Sequence, residues 1–227
     1  MILAFQGLRE GSGATLISSS IAWHLSRFRS SVMAVSTLGS ACGFSCAFNL
    51  SPKKGNSSPF WQYCSHLTLF CPQNASQQLS LNRLDSFLSS ALDRGITDII
   101  VDLDRNSAEA ELWKKRADIL VTVCVPDEHT LLRLKTYGPE ENELFVVNKA
   151  LTFSKTTALI TRTLLHECSL KERFIEHTIV WDEYAAQAAR CNGPVAQLAP
   201  QAECSRTICA LGTWLTVRSR EDRLCWL

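Results

Sequence analysis

Between residues 7 and 15 the chain reads Gly7-Leu8-Arg9-Glu10-Gly11-Ser12-Gly13-Ala14-Thr15. Glycines at this spacing let successive backbone N–H groups turn toward one anion, and a helix that starts directly behind them adds the positive end of its dipole. That is the chemistry of a phosphate cradle. A Walker A loop ends in Gly-Lys-Ser/Thr, its lysine reaching the β and γ phosphates. Here Gly13 is followed by Ala14 and Thr15, so the hydroxyl is kept and the cation is lost. Such a charge-assisted contact contributes about 1.5–3 kcal/mol; the backbone amides and Arg9 remain. The plainer readings stay open beside this one. The glycines also suit a tight strand-to-helix turn, Arg9 suits a solvated surface, and a threonine near a helix start bonds backbone groups in any case.

Three polar residues elsewhere stand at the ends of apolar runs. Asp102 closes Ile99-Ile100-Val101, a β-branched run suited to a buried central strand, and suits a cap at the sheet's end. Asn148 follows Leu144-Phe145-Val146-Val147 and suits a turn. Asp182 precedes a helical stretch. His24, His66, His129, His166 and His177 show no ligand spacing such as HxxxH and read as structural or surface residues. The ten cysteines scatter through apolar runs without paired CxxC spacing, so they read as small core hydrophobes. Cys42 and Cys46, in a Gly/Ser-rich segment, leave a metal or dimer-bridging role open, which a reducing compartment disfavours. No haem, zinc or flavin site is expected.

Short β-rich runs alternate with helical ones, the pattern of βαβ units on a mainly parallel sheet. Strands are expected over 1–5, 32–35, 67–71, 99–102, 119–125, 144–148 and 178–180, and helices over 15–27, 81–94, 128–137, 155–168, 183–191 and 205–217. Residues 39–62 read as irregular, because Pro52, Gly55 and Pro59 interrupt them. Apolar Phe60-Trp61 and Leu224-Cys225-Trp226-Leu227 either pack onto the parent core, as such groups more often do, or form an exposed patch for a partner. The fold class is α/β: one doubly wound sheet of about seven strands with helices on both faces, a single domain over 1–227.

Composition narrows the function classes. Hydrophobic residues make up 46% and charged residues 20%, ordinary globular usage that excludes a disordered chain. A formal net charge of +1 supplies no field to draw the protein onto nucleic acid, so specific nucleic-acid binding is not expected. No run reaches the roughly 18 apolar residues of a membrane span, and the first residues read as a strand entering a glycine turn, not as a signal peptide. The expected location is the cytoplasm.

The loop resembles that of the deviant P-loop family of MinD, ParA and their relatives, which has the form Lys-Gly-Gly-x-Gly-Lys-Thr-Thr. Here it reads Arg9-Glu10-Gly11-Ser12-Gly13-Ala14-Thr15-Leu16. Arg9 stands where the family has a signature lysine that reaches across a homodimer. Glu10 replaces a glycine and puts a carboxylate beside the anion site, which opposes triphosphate binding. The resemblance extends to Asp102 as the Walker B aspartate, to Asn148-Lys149 as the base-recognition segment, and to Val180-Trp181-Asp182 with Gly193-Pro194-Val195 as a closing nucleotide-binding loop. It departs at Val35-Ser36-Thr37, where the family places an aspartate of its hydrolytic machinery. Within the superfamily the chain resembles the BcsQ (YhjQ) type of cellulose-biosynthesis protein, or a divergent BcsP-like relative. The residues that carry this are Gln6-Gly7-Leu8-Arg9, Ile21-Ala22-Trp23, Val101-Asp102-Leu103, and Asp182-Glu183 with Ala185.

The resemblance implies a homodimeric accessory protein of cellulose secretion that meets other cellulose-synthase (Bcs) subunits and is recruited through them to the inner membrane. ATP and magnesium are the implied ligands, the nucleotide held by Arg9, Gly11, Ser12, Gly13, Ala14, Thr15, Asn148 and Asp182 and the metal by Thr15 and Asp102. Two enzymatic readings compete at the same site. One is a degenerate ATPase acting as a scaffold; the other is an active switch in which Asp102 or Asp104 orients the attacking water. A DNA-partitioning role is the third, and near-neutral charge speaks against it.

Overall fold

Side-chain alternation along the strands sorts the interior into layers on either side of one sheet. In the computed structural model, which describes residues 1–28, 31–38, 43–50, 58–72, 77, 79–151 and 153–224, the elements run β1 (Ile2–Gly7), α1 (Ala14–Phe28), β2 (Val32–Ser36), α2 (Phe44–Ala47), β3 (Phe60–Cys64), β4 (Leu67–Phe70), α3 (Leu81–Asp93), β5 (Asp98–Asp102), α4 (Ala108–Arg116), β6 (Ile119–Cys124), α5 (Glu128–Leu134), β7 (Glu143–Ala150), α6 (Lys155–His166), β8 (Ile179–Val180), α7 (Glu183–Cys191), α8 (Val195–Leu198) and α9 (Glu203–Leu224). The strand order is β3-β4-β2-β5-β1-β6-β7-β8. Every pairing is parallel except β3 with β4.

Period-two alternation assigns each side chain to a layer. Leu3 and Phe5 of β1, Val32 and Ala34 of β2, and Val121 and Val123 of β6 join a cluster with Ile17 and Ile21 of α1 and Ile208, Leu211 and Leu215 of α9. Ala4, Met33, Val35, Val101 and Leu120 point the other way, onto Leu84 of α3 and Trp113 of α4. A third cluster places Phe145 and Val147 of β7 against Leu134 of α5 and Ile160 and Leu164 of α6, and it takes in Leu8 from the glycine turn. The turn is therefore anchored by a fully packed side chain on one side.

Among the described residues the sheet has eight strands, and the one the sequence pattern missed is β3. The stretch 39–62, expected to be irregular, holds α2 and the start of β3: Phe60–Cys64 pairs antiparallel with β4, as a hairpin edge. Phe60 and Trp61 are half-buried, as the core-packing reading has them, and do not form an exposed patch. The Phe60 ring meets Phe70 at 5.0 Å and Phe87 at 6.2 Å, with Arg94 lying 5.6 Å over its face, while Trp61 packs on the α1/α9 cluster. Residues 39–42, 51–57 and 225–227, with Cys42, Pro52, Gly55 and the terminal Cys225-Trp226-Leu227, lie outside the described residues. Among the described residues no helix is long and apolar enough to cross a membrane, and no three His, Cys, Asp or Glu side chains form a metal-holding group.

Helix α4 was also unforeseen. Its sequence is mostly charged, but Ser107 caps it by accepting from the Ala110 amide, Glu109 and Glu111 lie in its first turn and Lys114, Lys115 and Arg116 in its last. Charges so ordered match the helix dipole. Trp113 then anchors it, with no exposed surface at all.

Candidate functional site

The strand order makes β1 the switch point: the chain leaves β1 toward β2 on one side, and β5 leads to β6 on the other. In open α/β sheets ligands bind outside the carboxyl ends of the strands at such a point. The Gly7–Gly13 turn, Asp102, Asp127 and Asn148 all lie at that edge, following β1, β5, β6 and β7 or closing them.

The turn is held by its carbonyls. Gly11 and Gly13 adopt φ of 70° and 93°, the left-handed region that glycine enters without strain. Asn148 donates Nδ2–H to the Ser12 carbonyl at 2.7 Å, and the Lys149 ammonium donates to the Gly11 carbonyl at 2.7 Å. The guanidinium groups of Arg105 and Arg133 both donate to the Leu8 carbonyl, Arg105 at 2.8 Å and lying 5.3 Å over the Tyr137 ring. Of the turn's amides, Leu8 donates to the Val123 carbonyl at 2.9 Å and Ser12 to the Arg9 carbonyl at 3.3 Å, so an anion would meet those that follow Ser12 at the start of α1.

Thr15, in the first turn of α1, donates its hydroxyl to Asp102 Oδ2 at 2.8 Å. Asp102 is fully buried, and its other oxygen, Oδ1, has no hydrogen-bond partner. Burial pushes this carboxyl up to about 7, against the hydrogen bonds from Thr15 and Ser18 that favour its charged form. A buried carboxylate oxygen without a donor, beside a threonine hydroxyl, is a donor set that suits a small divalent cation. The residues present therefore fit magnesium, held by Thr15 and Asp102.

Arg9 is not extended. Its Nη2 makes a 2.5 Å ion pair with Asp127 Oδ2 of the same chain, both side chains about one-third exposed, and Nη1 reaches the Glu10 carbonyl. Asp127 also caps α5 through the Thr130 amide at 2.8 Å. Burial alone would raise the Asp127 carboxyl; the Thr130 amide and the Arg9 guanidinium outweigh it and hold it below its usual range. Glu10, expected beside the anion site, is exposed, so solvent weakens its repulsion of a phosphate.

Asp182 is placed differently from its neighbours in the expected set. It caps α7, accepting from the Ala185 amide at 2.9 Å, and takes the Cys204 amide at 3.2 Å and the Cys204 thiol at 3.0 Å. Its carboxylate ties α7 to α9. Asp182→Ala is therefore expected to lower stability by about 1–2 kcal/mol, as for other lost caps, read as a shifted urea midpoint at constant slope. The neighbouring Trp181 faces the site, with the Lys149 ammonium 4.8 Å over its ring.

The structure thus unites Arg9, Gly11, Ser12, Gly13, Ala14, Thr15, Asp102 and Asn148 around one turn. Lys149, of the Asn148-Lys149 segment, joins them, and so do three residues not singled out from sequence: Arg105, Asp127 and Arg133. Ser36 is buried at the end of β2, its hydroxyl directed to the Leu38 carbonyl at 3.4 Å, and Asp104 accepts the Asn106 amide at 3.0 Å in a local turn.

Comparison with known proteins places this geometry. The family model described as cellulose biosynthesis protein BcsQ matches residues 73–216, a span that begins after the glycine turn and α1. No curated protein matches the chain. Among solved structures, a ParA family ATPase from Chlorobium tepidum TLS superposes with a TM-score of 0.73 at 17% identity, covering 93% of this chain and 98% of that one. The MinD cell division protein of Aquifex aeolicus gives 0.72 at 12% identity, over 95% and 96%. The septum site-determining protein MinD complexed with Mg-ADP from Pyrococcus horikoshii OT3 gives 0.66 at 13% identity, over 94% of each chain. At these identities the likeness establishes the fold.

Proposed function

The chain belongs to the BcsQ family of cellulose biosynthesis proteins and has the MinD/ParA fold, and from that premise we propose that it is an accessory, regulatory scaffold of cellulose biosynthesis and secretion: a homodimer that binds ATP with magnesium and turns it over little or not at all. It works at the cytoplasmic side of the inner membrane, recruited there through other cellulose-synthase subunits.

One observation carries the nucleotide part of this reading. The left-handed glycines of the turn and the Thr15–Asp102 pair support nucleotide binding, and the residue types around them support slow turnover. Ala14 stands where a loop lysine would be, buried Ser36 ends the second strand, and Asp104 is engaged by its own turn. When bound, magnesium would neutralise charge between phosphate oxygens. The chain's own part is to hold the phosphates on backbone amides of the turn, which Asn148 fixes through the Ser12 carbonyl. That the MinD of Pyrococcus horikoshii was solved with Mg-ADP supports the choice of ligand. The alternative, an active switch, draws on the same unpaired Asp102 Oδ1.

Phosphate release and binding separate the two. With magnesium and a fluorescent ATP analogue, the full chain is expected to bind nucleotide, and to release phosphate from ATP no faster than Asp102→Asn does. Sustained release that this substitution removes would establish the switch and end the scaffold reading.

A further inference from the structure

We infer that Lys149 is the phosphate-binding cation of this site, delivered from the end of β7 to the place that the loop's own sequence leaves without a lysine. The inference rests on the nucleotide-binding reading and adds the residue that makes it work.

Four observations converge. First, the ammonium reaches the turn, donating to the Gly11 carbonyl at 2.7 Å. Second, the stem arches over it: a Cβ built on Gly13 would lie 4.0 Å from Lys149 Cε. Third, the backbone at Lys149 takes φ of 60°, a left-handed conformation uncommon for a residue with a Cβ, which redirects the side chain at the end of the strand. Fourth, Trp181 lies under the ammonium at 4.8 Å, holding the charge by its ring face. Burial, and then the positive charge of Arg9, both lower the Lys149 pKa, so the two cations act on the same space.

A carbonyl and an aromatic face are weak partners for an ammonium, and phosphate is a strong one. Two cations that repel one another are stabilised together when an anion enters between them. Arg9 is paired with Asp127 in this state, and Arg105 and Arg133 hold the Leu8 carbonyl, so Lys149 is the cation at Gly11 that a phosphate chain meets. The expected ligand is a di- or triphosphate on the amide face of the turn, with magnesium at Thr15 and the buried, partnerless Asp102 Oδ1.

The test is equilibrium binding to the full chain, with ATP, inorganic tripolyphosphate and adenosine as separate probes in the presence of magnesium. Lys149→Met is expected to weaken ATP and tripolyphosphate by about tenfold or more and to leave adenosine unchanged, with Lys149→Arg recovering most of the loss. If Lys149→Met leaves tripolyphosphate affinity intact, or weakens adenosine as much as ATP, the side chain is a base or structural contact and the inference is wrong. Should the wild-type chain hold tripolyphosphate in a Lys149-dependent way but not ATP, the nucleotide reading fails and the cation assignment stands. A wild-type chain that holds neither overturns both.

Discussion

Metal-free protein is expected to lose up to about 4 kcal/mol of stability between about pH 4 and pH 8, and Asp102→Asn to remove most of that loss. The carboxyl lies fully buried beneath α1, and burial raises it from 3.8 to about 7. A group raised on folding stabilises the native state fully below its unfolded pKa, and that contribution disappears as pH rises through the folded one. The window therefore opens near 3.8 and closes just above 7. Other shifts bear on the same curve. Asp127 is held low by the Thr130 amide and Arg9 in spite of its burial, so its stabilisation is lost only as pH falls, below the window. Glu109, raised by burial, adds to the downward trend, and His24, lowered by burial, works against it as pH rises toward the usual imidazole value. The difference between wild type and Asp102→Asn isolates one group from these. Urea midpoints measured across the range supply the two curves, and parallel curves would show that Asp102 does not sit neutral in the folded protein. Magnesium added at the alkaline end should restore stability to the wild type and not to the variant, because only a charged carboxylate gains from it.

The central strands around the site were legible because each is a short apolar run closed by a polar residue or a turn: Asp102, Asn148 and the glycines after Phe5 all mark carboxyl ends of parallel strands. Local chemistry sufficed there. It failed at β3, where Pro59 precedes Phe60-Trp61-Gln62-Tyr63-Cys64; the aromatic run was itself a strand signal, outweighed by the breakers before it. It failed again at α4, whose residues show little amphipathic pattern and whose stability comes from one cap, the dipole and Trp113. The contacts of the site were beyond reach for a different reason. Arg9 finds Asp127 across 118 residues, Leu8 finds Arg133 across 125, and Gly11 finds Lys149 across 138. No periodicity encodes such pairs, since they depend on which strand the chain chooses to place beside β1.

Gly13→Ala is expected to cost about 2–5 kcal/mol and to abolish phosphate binding, whereas Gly11→Ala costs only about 1–2 kcal/mol. Both glycines have positive φ, so both substitutions carry the left-handed penalty of an added Cβ. Their surroundings differ. Around Gly11 an added Cβ meets nothing within 4 Å; at Gly13 it would stand 2.4 Å from Asn148 Nδ2. That nitrogen is the donor to the Ser12 carbonyl, inside a buried pair. The methyl must push the amide away, and both partners then lose a hydrogen bond they cannot readily replace. Removing the obstacle should relieve much of the damage, so Asn148→Gly combined with Gly13→Ala is expected to cost clearly less than the two changes made separately. This is a coupling that a double-mutant cycle reads directly. Additive costs would mean that the turn does not pack against β7 as described, and Lys149, which leaves the same strand one residue later, would then have no fixed path to Gly11.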